Sequence, residues 1–204
     1  MPNLSTLLGL SGTVLIIATM VPQTWRTCRH GQTAGLPIGR PWVLVQISLA
    51  WLAYGLYGGG PFQIITNVCT ALMGLAILVR LLPVTAPADR RNGWWVGSTA
   101  AVLGAVWWLG RTGGQEPVGL LAAAMSITIC VPQLLSLLRH PHLDSTGVSR
   151  ASSWLQLAGC ASWCAYGLLR GELPVWLPNL VILPTVAWTL LLLRQAPART
   201  LVRS

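Results

Sequence analysis

Two asparagines lie in apolar stretches of this sequence, where a polar side chain needs a reason to be. Asn67 and Asn179 each stand six or seven residues into such a stretch. An amide buried in hydrocarbon without partners costs several kcal/mol, so each must face other helices or a wet cavity. Because an amide both donates and accepts hydrogen bonds, the pair suits a neutral solute rich in hydroxyl groups. A hydrogen bond between two helices is the alternative interpretation.

Aromatic side chains occupy matching places one segment earlier. Trp51 and Trp163 stand in Trp-Leu-Ala-Tyr-Gly and Trp-Cys-Ala-Tyr-Gly, and Tyr54 and Tyr166 follow on the same helical face. An indole face can stack on the apolar face of a sugar ring or on a cation. A tryptophan that faces lipid in an interfacial belt is the alternative.

These matches arise because the chain contains one unit twice. Val-Pro-Gln at 21–23 recurs at 131–133, a shift of 110 residues, while the tryptophans and asparagines recur at a shift of 112. We interpret the chain as a tandem duplication of a unit of about 75 residues. Any binding chemistry is therefore expected from both copies.

The two Pro-Gln pairs lie near the ends of apolar segments. Pro22 and Pro132 each leave the carbonyl four residues back without its helical partner, which bends a helix and lets it flex. Gln23 and Gln133 could bond such freed backbone groups. A helix that simply ends there is the alternative, but the occurrence in both copies favours a hinge.

Composition places the chain in a lipid bilayer. Hydrophobic residues make up 53% and charged residues only 8% of the sequence, against about a quarter charged in soluble domains. The net charge of +9 raises nucleic acid as a partner, but the arginines fall between apolar segments and not along one face. We therefore expect no nucleic-acid partner.

Seven apolar segments are long enough to cross a membrane. Each has about 17–22 residues, or roughly 25–33 Å of helix, against a hydrocarbon core of about 30 Å. They lie at 4–23, 42–58, 61–82, 94–110, 117–138, 153–170 and 173–194. The predicted fold is an all-α membrane protein with seven transmembrane helices.

Arginine positions predict the orientation and the role of the fourth segment. Eleven of the 13 arginines fall on one side, which puts the N-terminus outside and the C-terminus in the cytoplasm. A unit of three helices ends opposite to where it began, so one extra crossing restores the direction of the second copy. The predicted organisation is a repeat at 4–82, a linker helix at 94–110, a repeat at 117–194 and a cytoplasmic tail at 195–204.

The apolar segments lack the groups that coupled transport and catalysis need. None contains Asp, Glu, Lys or His, which proton relays and ion-coupled sites in membranes use. No nucleophile and base can be paired within the membrane, so an enzyme is not expected. His140 and His142 share a loop without a third ligand, and we expect no metal and no cofactor.

Taken together, these motifs resemble the PQ-loop superfamily, and within it the SWEET and SemiSWEET sugar transporters. The resemblance covers nearly all of 4–82 and 117–194. It implies two triple-helix bundles around a central path, and passive transport of mono- or disaccharides by alternating access at the cell membrane. Within it, Asn67, Asn179, Trp51 and Trp163 match the substrate pocket.

The resemblance also assigns gates, with departures from the family pattern. Tyr54, Tyr166, Arg170 and Glu172 resemble the outer gate of the bacterial half-size members. In the first copy glycines stand where Arg170 and Glu172 would be, so a charged gate would be one-sided.

Full-length members carry a further proline near the start of the second and sixth helices. Pro41 could serve in the first copy, but Ser152 and Ser153 stand in the second. Both copies keep Pro-Gln, as in an amino-acid branch of the superfamily. A carrier of amino acids or other metabolites, and a seven-helix receptor or sensor, therefore stay open, and a homo-oligomer is compatible with the sequence.

Overall fold

Helices account for nearly all of the residues that the structure describes. The computed structural model describes residues 3–33, 36–85, 94–139 and 150–195, leaving aside the side chains of 131–139 and 192–195. Within these residues there are seven α-helices and no strand, which confirms the predicted all-α class. They are α1 (Leu4–His30), α2 (Gly39–Tyr54), α3 (Pro61–Leu81), α4 (Trp94–Gly113), α5 (Gln115–Arg139), α6 (Arg150–Arg170) and α7 (Leu173–Gln195).

Helix α1 runs past the proline at which its apolar segment was predicted to end. Asn3 caps its start, since the Asn3 side-chain oxygen accepts a hydrogen bond from the backbone N–H of Thr6 at 2.9 Å. It contains Pro22 and ends at Gly31, where a φ of 62° lets the Gly31 N–H bond to the carbonyl of Arg26. The interpretation that the helix stops at Pro-Gln is therefore wrong for α1.

The lengths and composition of the helices agree with an integral membrane protein. Among the fully described residues, four segments are long and apolar enough to cross a bilayer: α1, α2 with the turn that follows it to Gly59, α3, and Leu173–Leu191 of α7. A shorter apolar stretch, Gln115–Cys130, belongs to α5. Helices α4 and α6 have 20 and 21 residues but contain more tryptophan, serine and glycine.

Six of the helices form a closed ring. Helix α3 packs against α1 and α2, and α7 packs against α5 and α6 in the same way. The ring closes where α1 meets α6 and where α2 meets α5, while α4 lies outside it against α2 and α5. The predicted domain boundaries stay a prediction, and the predicted tail from 196 onward and the residues 86–93 lie outside the described chain.

Helix α4 is held to α2 by a polar network as well as by packing. The Trp42 indole N–H donates to the Trp95 carbonyl at 3.1 Å and to the Thr99 hydroxyl at 2.9 Å. The Gln46 amide donates to Ser98 and Thr99 at 2.8 and 2.9 Å. The segment predicted as a linker is thus fixed to α2 by hydrogen bonds to its own Trp95, Ser98 and Thr99.

Replacing Gln46 with leucine should loosen α4. Gln46→Leu removes two buried interhelical hydrogen bonds, and such bonds between membrane helices contribute about 1 kcal/mol. We expect a lower unfolding midpoint of the purified protein in detergent. Gln156→Leu, the same change at an exposed position of α6, is the control. Equal midpoints for the two variants would show that the network contributes nothing to stability.

Candidate functional site

Asn67 lies on the face of α3 that is turned away from lipid. Gln63 and Thr70, one turn to either side of it, are buried at 2% and 5% exposure. Ile65 and Leu72, on the opposite face, are exposed at 50% and 61%. The amide therefore points toward the other helices.

Asn179 occupies the matching place on α7. It is 8% exposed, whereas its neighbour Leu180 is 52% exposed. Neither asparagine points into lipid, which is one requirement of a shared binding site; that the two face one cavity stays a prediction.

Both asparagine amides make the same hydrogen bond. The Asn67 nitrogen donates to the carbonyl of Gln63 at 2.8 Å, and the Asn179 nitrogen donates to the carbonyl of Val175 at 2.7 Å. Each bond stays within its own helix. The described residues therefore show no hydrogen bond from either amide to another helix. The second N–H hydrogen and the amide oxygen of each are left for another partner.

The two tryptophans also repeat one arrangement. Trp51 meets the Tyr54 ring edge to face at 5.5 Å, and Trp163 meets Tyr166 in the same way at 5.4 Å. All four rings belong to one apolar cluster, together with Ala50, Val106, Val118, Ala122 and Val175. The tryptophans therefore pack on the core, and the alternative of a lipid-facing belt is wrong for them.

Each tryptophan reaches across a junction of the ring. The Trp51 indole N–H donates to the Ser126 hydroxyl of α5 at 3.0 Å. The Trp163 indole lies so close to Gly12 of α1 that a Cβ there would come within 3.0 Å of it. These contacts are possible because Gly12 carries no side chain and Ser126 offers an acceptor, features that spacing alone did not reveal.

One carboxylate gathers several donors at the end of the bundle where α2 leads into α3 and α6 into α7, which we call the tyrosine end. The Glu172 carboxylate accepts from the Tyr54 hydroxyl at 3.1 Å and from the Gln63 amide at 3.3 Å. It also pairs with the Arg170 guanidinium at 3.1 Å. The Glu172 side chain is 10% exposed and that of Arg170 50% exposed, so the carboxylate is the buried member.

The structure thus brings Tyr54, Arg170 and Glu172 into contact and adds Gln63, which the sequence interpretation missed. The available signal was its spacing, since Gln63 precedes Asn67 by one helical turn. The Glu172 carboxylate belongs to the second copy, and its neutral donors Tyr54 and Gln63 belong to the first copy. Tyr166 lies beside this group, next to Gly60.

Glycines shape the turn that leads into α3. Gly58 and Gly60, between α2 and α3, have φ angles of 131° and 110°. Side chains other than glycine rarely adopt these angles. The first copy therefore has glycines at 58 and 60, where the second copy carries Arg170 and Glu172.

At the other end of α1, the glutamine of Pro-Gln has a different partner from the one expected. The Gln23 amide donates to the Thr27 hydroxyl at 3.1 Å, and that hydroxyl donates to the Gln32 carbonyl at 3.4 Å. Gln23 therefore ties the end of α1 to the following loop and does not bond the carbonyl that Pro22 frees.

The remaining prolines of the predicted hinges are placed as follows. Pro41 is buried in the first turn of α2, with its carbonyl oxygen beside Gly74 of α3. Pro132 and Gln133 belong to α5, but their side chains lie outside the described part of the structure. Their role as a second hinge stays a prediction.

The described residues contain no group of three His, Cys, Asp or Glu side chains that could hold a metal ion. His140 and His142 lie outside this part of the chain.

Comparison with known proteins places the fold but not the family. No protein-family model matches the chain, and no curated protein matches it. A solved structure described as a eukaryotic SWEET transporter at 3.7 Å resolution matches with a TM-score of 0.73 and 20% identity. The match covers 94% of this chain and 96% of that one. The chain therefore has the SWEET transporter fold, while its membership of the PQ-loop superfamily stays a prediction.

Removing the charge of Glu172 should weaken the tyrosine end. Glu172→Gln exchanges a carboxylate that accepts three hydrogen bonds for a neutral amide, and bonds to charged groups contribute about 1.5–3 kcal/mol each. Because Arg170 is half exposed, its share is smaller. We expect a clear fall in the unfolding midpoint in detergent. Glu116→Gln, at an exposed position of α5, should leave it unchanged, and an equal effect of both would contradict the assignment.

Proposed function

We propose that this protein is an uncoupled transporter of a small neutral solute, with a sugar of one or two units as the favoured substrate. The pocket is formed by Asn67, Asn179, Trp51 and Trp163. The observation that carries the proposal is the repeated geometry of the two asparagines. On equivalent helices, each amide is turned away from lipid, bonded only to its own helix, and left with a donor and an acceptor.

The chemistry of these groups fits a polyhydroxylated solute. A sugar hydroxyl can accept from one amide hydrogen and donate to an amide oxygen. The indole rings, which lie one helix away in each copy, supply apolar surface for a pyranose face. A zwitterionic amino acid has less support, because the sequence places no charged side chain in the middle turns of any helix.

The same absence of charge supports an uncoupled mechanism. Proton-coupled and ion-coupled carriers use ionisable groups within the membrane. Here the charged residues stand at helix ends, as Arg40, Arg80, Arg111 and Arg150 do. A solute would then move down its own gradient as the protein alternates between two conformations.

Alternation requires a closure that can open on each side. With the N-terminus outside the cell membrane, the tyrosine end faces outward, and Glu172 with its donors forms the outer closure. Pro22 and Pro132 are the flexible points toward the cytoplasmic end. The SWEET fold supports this arrangement of two ends that open in turn. The proposed solute site between them is the pocket of Asn67, Asn179, Trp51 and Trp163.

Counterflow in liposomes tests this function. The purified protein should exchange labelled glucose or sucrose at a rate unaffected by a pH gradient. Asn67→Ala and Asn179→Ala each remove hydrogen bonds to the solute, about 1–3 kcal/mol, so we expect exchange to fall roughly 10-fold to 100-fold. Thr128→Ala is a matched control, because its hydroxyl bonds its own helix four residues back but on an exposed face.

Three outcomes would contradict the proposal. Exchange that requires a proton gradient would exclude the uncoupled mechanism. Exchange of amino acids without exchange of sugars would support the alternative substrate class. Unchanged exchange in both asparagine variants would show that the pocket lies elsewhere.

A further inference from the structure

Gln63 has a buried acceptor that nothing in the described structure satisfies. The residue is 2% exposed, and its amide nitrogen donates to Glu172 at 3.3 Å. Among the described residues, its side-chain oxygen is the one buried side-chain atom that lacks a hydrogen-bond partner. A buried acceptor without a donor costs about 1–3 kcal/mol, so native proteins seldom keep one without a use for it.

The gap beside this oxygen is bordered by Tyr166. A Cβ atom at Gly60 would lie 3.5 Å from the Gln63 oxygen and 3.7 Å from the Tyr166 hydroxyl. Both oxygens therefore border the position where Gly60 has no side chain, and the Gln63 amide is also a side-chain hydrogen-bond partner of Tyr166. The Phe62 and Trp163 rings meet Tyr166 edge to face at 6.0 and 5.4 Å and fix the position of its ring.

The duplication explains why this gap exists. At the shift of 112 residues, Tyr166 corresponds to Tyr54 and Gly60 corresponds to Glu172. Tyr54 bonds the carboxylate of Glu172, whereas Tyr166 faces Gly60, which has no carboxylate to offer. The gap is the place of the missing symmetric acid, and neutral groups line it.

The gap also lies next to the proposed pocket. The backbone carbonyl of Gln63 accepts the Asn67 amide at 2.8 Å. The two side chains are four residues apart and share a helical face, so about 6 Å along the helix axis separates them. A solute bound at Gln63 would be one turn from Asn67 on the side of the tyrosine end.

We propose that Gln63 and Tyr166 form an entry subsite for a hydroxyl-bearing neutral solute, which rests on the transport function proposed above. One solute hydroxyl donates to the Gln63 oxygen, which has no other partner among the described residues, and accepts from the Tyr166 hydroxyl. When Glu172 moves away, the Gln63 nitrogen also becomes free to donate to a second hydroxyl. The subsite is one-sided, because Val175 stands at the position of Gln63 in the second copy.

Sided transport measurements test this subsite. In right-side-out membrane vesicles, Gln63→Val should raise the half-saturation concentration for glucose about 10-fold, the loss expected for one or two hydrogen bonds. In inside-out vesicles it should leave that concentration unchanged. Gln46→Leu removes a buried amide between α2 and α4, outside the site, and should keep wild-type values on both faces.

Tyr166→Phe keeps the test decisive if Gln63→Val folds poorly, because it removes a single oxygen. It should give the same sided shift, and the double variant should be no worse than the stronger single one, since both residues bind one hydroxyl. A glucose analogue that lacks this hydroxyl should be insensitive to both substitutions.

The outcomes separate this inference from the function that it rests on. Wild-type uptake with no shift in either variant would contradict the subsite alone, and a water molecule would then fill the gap. An equal shift from both faces would contradict it too, since it would show an effect on the central pocket. No uptake of glucose or sucrose by the wild type would overturn the transport function and the subsite together.

Discussion

The structure depends at one end on a single carboxylate. Glu172 lies in the turn between α6 and α7, yet its hydroxyl and amide donors, Tyr54 and Gln63, belong to α2 and α3. A buried charge that loses its partners is strongly destabilising. The carboxylate therefore either keeps both donors or loses them in one concerted step. The two sets of three helices are thereby joined at this end, and any motion that parts them must first replace these hydrogen bonds.

The duplication gives the protein both its symmetry and its direction. The asparagines and the tryptophan and tyrosine pairs keep one geometry in both copies, which suits a pocket that a solute can enter from either side. The tyrosine end departs from this symmetry. The first copy has Gly60 and Gln63 at the positions where the second copy has Glu172 and Val175. A symmetric core thus ends in one asymmetric cluster, with its charge in the second copy and its neutral donors in the first.

Much of the fold could be predicted because the controlling signals are local or repeated. The length of each apolar segment predicts a helix. The pair Asn67 and Asn179 can be recognised because the two copies of the repeat are offset by 112 residues. The end of α1 could not be predicted from Pro22, because a proline disturbs the carbonyl behind it and not the chain ahead. The helix stops only at Gly31, where the backbone turns left-handed.

The missing parts of the site depend on how helices face one another. The contact of Trp163 with Gly12 depends on how α6 is rotated against α1, which residue spacing does not supply. The same holds outside the site for the hydrogen bonds of Trp42 and Gln46 with α4. Gln63 was missed although it precedes Asn67 by one helical turn. Its residue type is ordinary at a helix start, and only the approach of Glu172 from another helix pair gives it a role.

The central claim is that Glu172 holds the tyrosine end closed and that the two ends of the bundle open in alternation. Pulsed electron paramagnetic resonance can test it in a variant with all five cysteines replaced. Spin labels at Leu56→Cys and Leu169→Cys report on the tyrosine end, and labels at Val79→Cys and Ala151→Cys report on the other end; all four positions are exposed. In the Glu172→Gln background, the first distance should lengthen while the second shortens. Unchanged distances, or a change of the same sign at both ends, would contradict the account.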